Sequence, residues 1–324
     1  MHSLTHDDIK TAAARIDGHV RPVTLAGPTD PGGIHLALEH MQHTGSFKAR
    51  GARNFLLAHR EAGTLPAAGV TIASGGNAGL ACAWAAGRQG VPATVFLPAT
   101  APRVKVARLR GYGADVRLVG NEYAEALAAC EEFARSTGAL ASHAYDHPLI
   151  AAGAGTLLDE IRLRVPGLDT VVVAVGGGGL FAGVATAARH HGIRTVAVEP
   201  ENCRALDAAL RAGHPVDVTV DSVAADSLGA RRVSATALHA AQQDGVRSVL
   251  VPDAAIVRAR QALWDDHRLA VEHAAATALA ALTHPEQDVP AQEAPAAGYR
   301  PAPGETVCVI LCGANTDPTD LVTL

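Results

Sequence analysis

Lys48 is the residue of this sequence with the most specific chemistry. It lies in the segment 43–51, HTGSFKARG, and it is one of only three lysines in a chain whose other basic positions are arginines. A lysine with a depressed pKa can lose its proton near neutral pH and attack an aldehyde, whereas arginine stays protonated. Lys48 is therefore a candidate for imine formation, and a surface position in the first turn of a helix is the alternative.

A glycine-rich turn, Ser74-Gly75-Gly76-Asn77-Ala78-Gly79, follows a short apolar run and opens a predicted helix. Backbone amides at a helix N-terminus, together with the helix dipole, favour an anion such as a carboxylate. Ser74 and Asn77 would add side-chain hydrogen bonds to the same anion. The alternative is a plain strand-to-helix turn that is capped by the asparagine.

A second turn, Gly176-Gly177-Gly178-Gly179-Leu180, follows a run of β-branched residues. Successive glycine amides at a helix N-terminus can converge on a phosphate. The same turn also fits a dinucleotide-binding pattern, Gly177-x-Gly179-x-x-Ala182, with Glu199 at the distance of a ribose-binding acid. The hypothesis of a nicotinamide-dependent oxidoreductase therefore remains open, although it assigns no function to Lys48.

Cys312 starts a third turn, CGANTD over residues 312–317, just after the last predicted strand. Open α/β sheets bind their ligands at the carboxyl ends of parallel strands, so this thiol would be a small, weakly polar group at a binding site. A buried, inert cysteine is the alternative.

These motifs must be positioned by an alternation of short apolar strands with helices, which is typical of βαβ units and parallel sheets. The predicted strands cover residues 34–38, 70–73, 93–97, 115–119, 170–175, 195–198, 246–251 and 306–311. The predicted helices cover residues 9–16, 47–59, 123–135, 156–164 and 274–282, with two more beginning near 78 and 104. Residues 50–142 are expected to form a small domain, residues 1–49 with 143–324 a large one, and residues 284–303 a surface loop.

The composition restricts the class of protein. A chain of 324 residues with 48% hydrophobic residues, 18% charged residues and a net charge of −5 predicts a globular protein without a nucleic-acid footprint. No apolar run reaches the roughly 20 residues of a membrane span, and the polar start is unlike a signal peptide. The five cysteines are widely spaced and lack a CxxC pair, which indicates a reducing compartment. We expect a cytoplasmic protein with no nucleic-acid or membrane partner.

A lysine for an aldehyde, a glycine turn for a phosphate, an amide-rich turn for a carboxylate and a soft group for a ring nitrogen together indicate pyridoxal 5'-phosphate. The chain resembles pyridoxal-phosphate enzymes of the tryptophan-synthase-β type, and within them the serine/threonine dehydratases (ammonia-lyases). The segments that carry the resemblance are 44–51, 74–79, 176–180 and 312–315. It implies two open, mostly parallel twisted sheets flanked by helices, two lobes with the active site in their cleft, and a homodimer.

The resemblance also implies residue roles at the cofactor. Lys48 would form the Schiff base and would take the Cα proton of the substrate as general base. Phe47 and Asn77 would contact the cofactor, with the asparagine bonding its phenolic oxygen. Residues 176–180 would hold the phosphate, and Cys312 would face the pyridine nitrogen. A neutral thiol there would not keep that nitrogen protonated, which suits β-elimination more than transamination.

For the substrate, the resemblance implies that Ser74, Gly75 and Asn77 receive the carboxylate of an L-hydroxyamino acid. Serine racemases carry a serine as second base where this chain has Gly75, so racemisation is not expected. Many relatives bind a divalent metal with an acid at the strand end and another six residues later. Glu199 is present here but Ala205 takes the later position, so we expect no metal at this site.

The predicted reaction is β-elimination of water from L-threonine or L-serine, which gives a 2-oxo acid and ammonia. The alternatives are β-replacement, as in cysteine synthases, and a dehydratase of another β-hydroxyamino acid. The short stretch after the last motif predicts no C-terminal regulatory domain. The sixteen histidines show no metal-ligand spacing, and we expect His190-His191 at a helix end and Glu272 as a helix cap.

Overall fold

Two β-sheets organise the protein in a computed structural model that describes residues 3–28, 33–282 and 298–322. Most of the predicted loop at 284–303 therefore lies outside the described residues. In chain order, the strands are β1 Leu25–Ala26, β2 Ile34–Ala37, β3 Val70–Ala73, β4 Ala93–Leu97, β5 Asp115–Leu118, β6 Leu140–Ala141, β7 Thr170–Ala174, β8 Arg194–Pro200, β9 Val246–Val251 and β10 Val307–Ile310.

The helices surround these sheets. They are α1 His6–Ile16, α2 Lys48–Glu61, α3 Asn77–Gly87, α4 Arg103–Gly111, α5 Tyr123–Thr137, α6 Pro148–Arg164, α7 Gly179–His190, α8 Ala205–Ala212, α9 Ala225–Leu228, α10 Ala235–Ala241, α11 Asp253–His267 and α12 His273–Ala280. Short 3₁₀ turns cover Glu39–Met41, His43–Gly45 and Thr319–Leu321. Among the described residues, no helix combines the length and the apolar character that crossing a bilayer requires.

The larger sheet has six strands in the order β1-β2-β10-β7-β8-β9, and the smaller has four in the order β5-β4-β3-β6. Every pairing is parallel except that of β1 with β2. Strands β3, β4 and β7 are buried along their whole length, as expected for parallel strands covered on both faces. The predicted α/β class with two mostly parallel sheets is confirmed.

Helix α6 differs from its prediction, because it begins at Pro148 and not near residue 156. Proline is favoured at the first helical position, and the ring of His147 caps the helix by accepting from the amide of Leu149. The glycines that make this segment look broken are packing residues. A Cβ at Gly153 would lie 2.7 Å from the carbonyl oxygen of Arg50, and one at Gly155 would lie 2.8 Å from that of Gly183.

Candidate active site

The segment that carries Lys48 is fixed to the segment that carries Cys312 by backbone hydrogen bonds. Ser46 forms an antiparallel bridge with Gly313, and the amide of Phe47 donates to the carbonyl of Cys312 over 3.0 Å. These contacts place the start of α2 beside the end of β10. The lysine and the cysteine, far apart in sequence, therefore lie at one site.

The turn before Lys48 is strained. Thr44 has a φ of 63°, and this left-handed conformation is unusual for a β-branched residue. Its carbonyl accepts from the Nδ2 of Asn315 over 2.7 Å, which helps to hold the strained backbone. Strain of this kind persists only where the surroundings impose it, and it is concentrated at functional sites.

The direct contacts of the Lys48 amino group are with neutral groups, which stabilise a positive charge only weakly. Its Nζ donates to the carbonyl of Ala144 over 3.0 Å and lies 4.4 Å from the ring centroid of Phe47. Burial lowers the pKa of Lys48 from 10.5 to about 8, against the opposing influence of Cys312 and Glu272. Roughly a tenth of Lys48 is therefore a free amine at pH 7, and about half at pH 8, so the residue can act as a nucleophile or a general base.

Cys312 is buried and remains a thiol. Burial and the neighbouring carboxylate of Glu272 raise the pKa of Cys312 to about 12, although Lys48 acts in the opposite direction. The group at this end of β10 is therefore neutral at physiological pH. A reactive thiolate would need an exposed and electropositive setting, which this residue lacks.

Asn77 is the first residue of α3, and its side chain does not cap that helix, because Gly76 occupies the N-cap position. The Oδ1 of Asn77 accepts from the Nδ2 of Asn315 over 2.7 Å. Its Nδ2 donates to both carboxylate oxygens of Glu272, at 2.9 and 3.0 Å. The amide is thus held in one orientation at the site, and the interpretation of Asn77 as a helix cap is wrong.

Glu272 is the site residue that the sequence analysis missed. It stands just before α12, but its side chain makes no capping bond to that helix, so the predicted capping role is wrong. Its buried carboxylate accepts from Asn77, from the hydroxyl of Ser227 at 2.9 Å and from the backbone amide of Asn315 at 2.8 Å. A Cβ at Gly313 would lie 2.7 Å from this carboxylate, which explains the glycine there. Glu272 therefore organises the polar side of the site.

The Ser74 turn has the predicted shape. A Cβ at Gly79 would lie 1.9 Å from the carbonyl oxygen of Ser74, so the first turn of α3 can close only with glycine. At Gly75 a Cβ would lie 2.7 Å from the Cδ2 of Leu97. Ser74 and Gly75 are half-buried, beside the Asn77 amide.

The glycine turn at 176–180 leads directly into α7. Gly178 is the N-cap, with a φ of 91°, a conformation that favours glycine. A Cβ at Gly177 would lie 2.3 Å from the ring of Tyr145, and one at Gly178 would lie 2.3 Å from the Cβ of Ala237. Because the first amides of a helix have no partner within it, this turn presents backbone N–H groups to an anion.

Glu199, the acid of the dinucleotide alternative, has a different task. Its carboxylate is fully buried and accepts from the amides of Leu206 and Asp207, at 2.7 and 2.9 Å, in the first turn of α8. Burial raises the pKa of Glu199 to about 8. The side chain binds a helix N-terminus of the protein itself, which argues against a ribose-binding role.

A cavity of about 460 Å³ adjoins the polar side of the site. Its lining includes Lys105 and Arg108 of α4 from the small-sheet side, together with residues from the large-sheet side, and Lys105 forms a 2.5 Å ion pair with Asp226. The residues of the polar network that line it are Ser227, Glu272 and Asn315.

Known proteins are similar to this chain in sequence and in structure. The sequence matches the family described as pyridoxal-phosphate dependent enzyme over residues 22–313, so the chain belongs to that family. It is 37% identical over 287 residues to a human serine dehydratase-like protein, covering 87% of this chain and 85% of that protein. It is also 37% identical to an L-threonine ammonia-lyase from Geobacter sulfurreducens, covering 88% and 67%. Maize serine racemase has a similar structure, with a TM-score of 0.85, 28% identity and coverage of 99% and 96%.

The residues present fit pyridoxal phosphate, the cofactor of this family. Lys48 is a partly deprotonated amine, the turn at 176–180 offers amides at the start of α7, and Cys312 is a neutral thiol. Within the described residues, the buried hydroxyl of Ser46, two positions before the lysine, has no hydrogen-bond partner. An unpaired buried hydroxyl at this point in the chain is consistent with a polar ligand that would bind it. The family match thus selects pyridoxal phosphate over the nicotinamide alternative.

Proposed function

We propose that this protein eliminates water from an L-hydroxyamino acid, L-threonine or L-serine, to give a 2-oxo acid and ammonia. The observation that carries the proposal is the meeting of Lys48, Asn77, Glu272 and Cys312, which come from four separate parts of the chain. The names of its relatives, serine dehydratase-like and L-threonine ammonia-lyase, support the same reaction class. When bound, pyridoxal phosphate supplies the electron sink for the carbanion formed at Cα.

The cofactor would be held from three sides. The amides of the turn at 176–180 would bind the phosphate at the N-terminus of α7, where the helix dipole also favours an anion. Asn77 would donate from its Nδ2 to the phenolic oxygen, and Glu272, which accepts from the same nitrogen, would hold the amide in place. The Cys312 thiol would contact the ring nitrogen without protonating it, and Phe47 would complete the cofactor contacts.

Lys48 would move the proton of the reaction. Its Nζ is the amine that takes the proton from Cα, since its lowered pKa of about 8 leaves it a base near neutral pH. The Ser74 turn would fix the substrate carboxylate through its amides and the Ser74 hydroxyl, which aligns the Cα–H bond toward the lysine. Departure of the β-hydroxyl with a proton as water leaves an enamine, which hydrolyses to the 2-oxo acid and ammonia.

Elimination, and not racemisation, is proposed although a serine racemase has a similar structure. A racemase needs a second base opposite the lysine, and Gly75 offers none. The space at this position is also limited, because a side chain at 75 would meet Leu97. Gly75 therefore supports a one-base reaction in which Lys48 acts alone.

The test is a product assay combined with trapping of the lysine. We expect the purified protein to form 2-oxo acid and ammonia from L-threonine or L-serine, and borohydride reduction to attach the cofactor to the peptide that contains Lys48. Adding sulfide during turnover distinguishes β-replacement, which would divert the product into a new amino acid. A holoenzyme that released no 2-oxo acid from any β-hydroxyamino acid would contradict the proposal.

We also propose a cytoplasmic homodimer in which residues 50–142 form the small domain and residues 1–49 with 143–324 the large domain. The four strands β3 to β6 fall within the first range and the six others in the second, which supports this division. All five cysteines are buried and free, as suits a reducing compartment. Light scattering on the purified protein should give twice the mass of the chain.

A further inference from the structure

Three histidines that are distant in sequence meet on the side of the large sheet, away from the proposed active site. His6 is the first residue of α1, His190 is the last residue of α7, and His191 follows it. Each offers a ring nitrogen, and these ligand atoms all lie within 4.8 Å of one another. We propose that His6, His190 and His191 bind a divalent transition-metal ion such as Zn²⁺, with Asp159 orienting two of the rings.

Asp159 is the feature that distinguishes this cluster from a chance group of histidines. Its carboxylate contacts the Nε2 of His6 at 3.1 Å and the Nε2 of His191 at 2.8 Å. A carboxylate accepts hydrogen bonds, so it selects the tautomer of each ring that carries the proton on Nε2. The Nδ1 atom of each ring then keeps its lone pair. Metal-binding histidines are oriented by carboxylates in this same manner.

The Nδ1 of His6 gives a second and independent indication. This atom is buried and has no hydrogen-bond partner among the described residues, while the side chain of His6 is only 11% exposed. A buried nitrogen with an unused lone pair is costly unless something binds it. A metal ion at the cluster would supply that missing partner.

The three rings are in mutual contact. The rings of His6 and His190 stack with centroids 3.9 Å apart, and His191 meets both edge-on at 5.0 and 4.8 Å. Metal binds the neutral form of imidazole, so binding to this cluster should weaken at low pH. Zn–N bonds of about 2.0–2.1 Å place tetrahedral nitrogens about 3.3 Å apart. The rings of His6 and His190 must therefore turn out of their stack for their in-plane lone pairs to meet at one ion.

The surroundings favour a cation. His190 and His191 lie at the C-terminus of α7, where the helix dipole is negative. Asp159 on α6 supplies a full negative charge, and the exposed side of His190 leaves room for water as a fourth ligand. The ion would tie α1 to α7 beside α6. Because α7 has 12 residues, it would lie roughly 18 Å from the glycine turn at the other end of that helix.

The experiment measures Zn²⁺ binding to the holoenzyme by competition with a chromophoric chelator. Replacing His6 or His191 with alanine should weaken binding by more than the about 10–100-fold that we expect for Asp159→Asn, which removes only the orienting carboxylate. The matched control is His239→Ala, an exposed histidine on α10 outside the cluster, and it should bind Zn²⁺ as the wild type does. The visible absorbance of the cofactor confirms that each variant is folded.

Co²⁺ gives a second readout, because its visible bands report nitrogen ligands in a tetrahedral field. We expect these bands in the wild type and in His239→Ala, but not in His191→Ala. Saturating Zn²⁺ should also raise the melting temperature of the wild type and leave that of His6→Ala unchanged. The absence of Zn²⁺ binding in the wild type, or equal affinities in the cluster variants and the His239 control, would overturn the proposal.

Discussion

Helix α2 carries two cations, Lys48 and Arg50, which lie two residues apart and have opposite environments. Lys48 donates to a neutral carbonyl, and burial lowers its pKa to about 8. Arg50 is fully buried between two carboxylates, contacting Glu39 at 2.5 Å and Glu160 at 2.5 Å. These carboxylates raise the pKa of Arg50 even further above neutrality, although burial acts against them.

The difference shows how one helix can hold a reactive group beside a structural one. A buried cation without a close carboxylate tends to lose its proton, whereas a buried cation between two carboxylates stays charged and fixes its neighbours. Arg50 joins the 3₁₀ turn at Glu39 to α6 at Glu160, which braces the backbone that presents Lys48. The choice of lysine at one position and arginine at the other follows from these two tasks.

The largest effect on activity is expected when Lys48, the reactive residue, is replaced by arginine, the residue type found at position 50. Lys48→Arg keeps a positive charge but cannot release its proton, so both imine formation and proton transfer are lost. We expect 2-oxo acid formation to fall by at least about 10⁴-fold, with little change in the free energy of unfolding. Lys10→Arg, a change at an exposed lysine on α1, serves as the control and should retain its activity. Turnover within tenfold of wild type in Lys48→Arg would show that another residue is the base.

The reverse change removes the structural cation. Arg50→Met should reduce the free energy of unfolding by about 3–5 kcal/mol, because it leaves the buried carboxylate of Glu39 without its partner. Urea unfolding measures this loss. Adding Glu39→Gln to Arg50→Met should recover part of the stability, since the remaining buried charge is then removed. Arg60→Ala, at the exposed end of the same helix, should change stability by less than about 0.5 kcal/mol.

Much of the fold follows from local sequence, whereas close packing does not. The predicted strand at 70–73 is observed as β3. The helix predicted over 123–135 is observed as α5, which ends two residues later, at Thr137. Apolar runs bounded by turn residues were sufficient there. The start of α6 was missed, since the predicted helix began only at residue 156, after Gly153 and Gly155. Their small size is required by the neighbouring backbones of α2 and α7, which a local pattern cannot reveal.

The site divides in a similar way. The segments of Lys48, Asn77 and Cys312 were identified because each places a reactive or polar group after a strand or at the start of a helix. Glu272 was missed, because an acid before a helix usually acts as a cap. Its role depends on Asn77, Ser227 and Asn315, which only the tertiary structure brings together. The histidine cluster was missed for the same reason, since His6 on α1 and His190 on α7 are far apart in the sequence and only the tertiary structure brings them together.

The pH dependence of Lys48 sharpens the comparison with Arg50. The free amine of Lys48 increases as pH rises toward its pKa of about 8, so the apoprotein should capture pyridoxal roughly tenfold faster per pH unit below that value. The rate should then level off above pH 8. Stopped-flow absorbance measures the reaction, and pyridoxal is used because it has no titrating phosphate.

A variant with an altered charge tests the cause of this pKa. Glu272 raises the pKa of Lys48, so Glu272→Gln should move the midpoint of the rate profile to lower pH. Arg50→Lys should leave the midpoint unchanged if its new lysine stays paired with the carboxylates. A wild-type rate that continued to rise toward pH 10 would mean that burial does not depress this pKa.

Glu199 extends the comparison to a buried acid that is held by two amides and by no close cation. Burial raises the pKa of Glu199 from 4.5 to about 8, so folding favours its protonated form. The chain is then most stable, with respect to this group, below pH 4.5, and it loses that stability as pH rises toward 8.

A glutamine at position 199 tests this dependence, because its side chain resembles the protonated acid and does not titrate. The free energy of unfolding of Glu199→Gln, relative to that of wild type, should therefore rise by at least about 1 kcal/mol when the pH is raised from 5 to 8. Urea unfolding of both proteins at the two pH values measures this difference. A stability difference that did not change with pH would show that the amides of α8 stabilise the ionised carboxylate enough to cancel its burial.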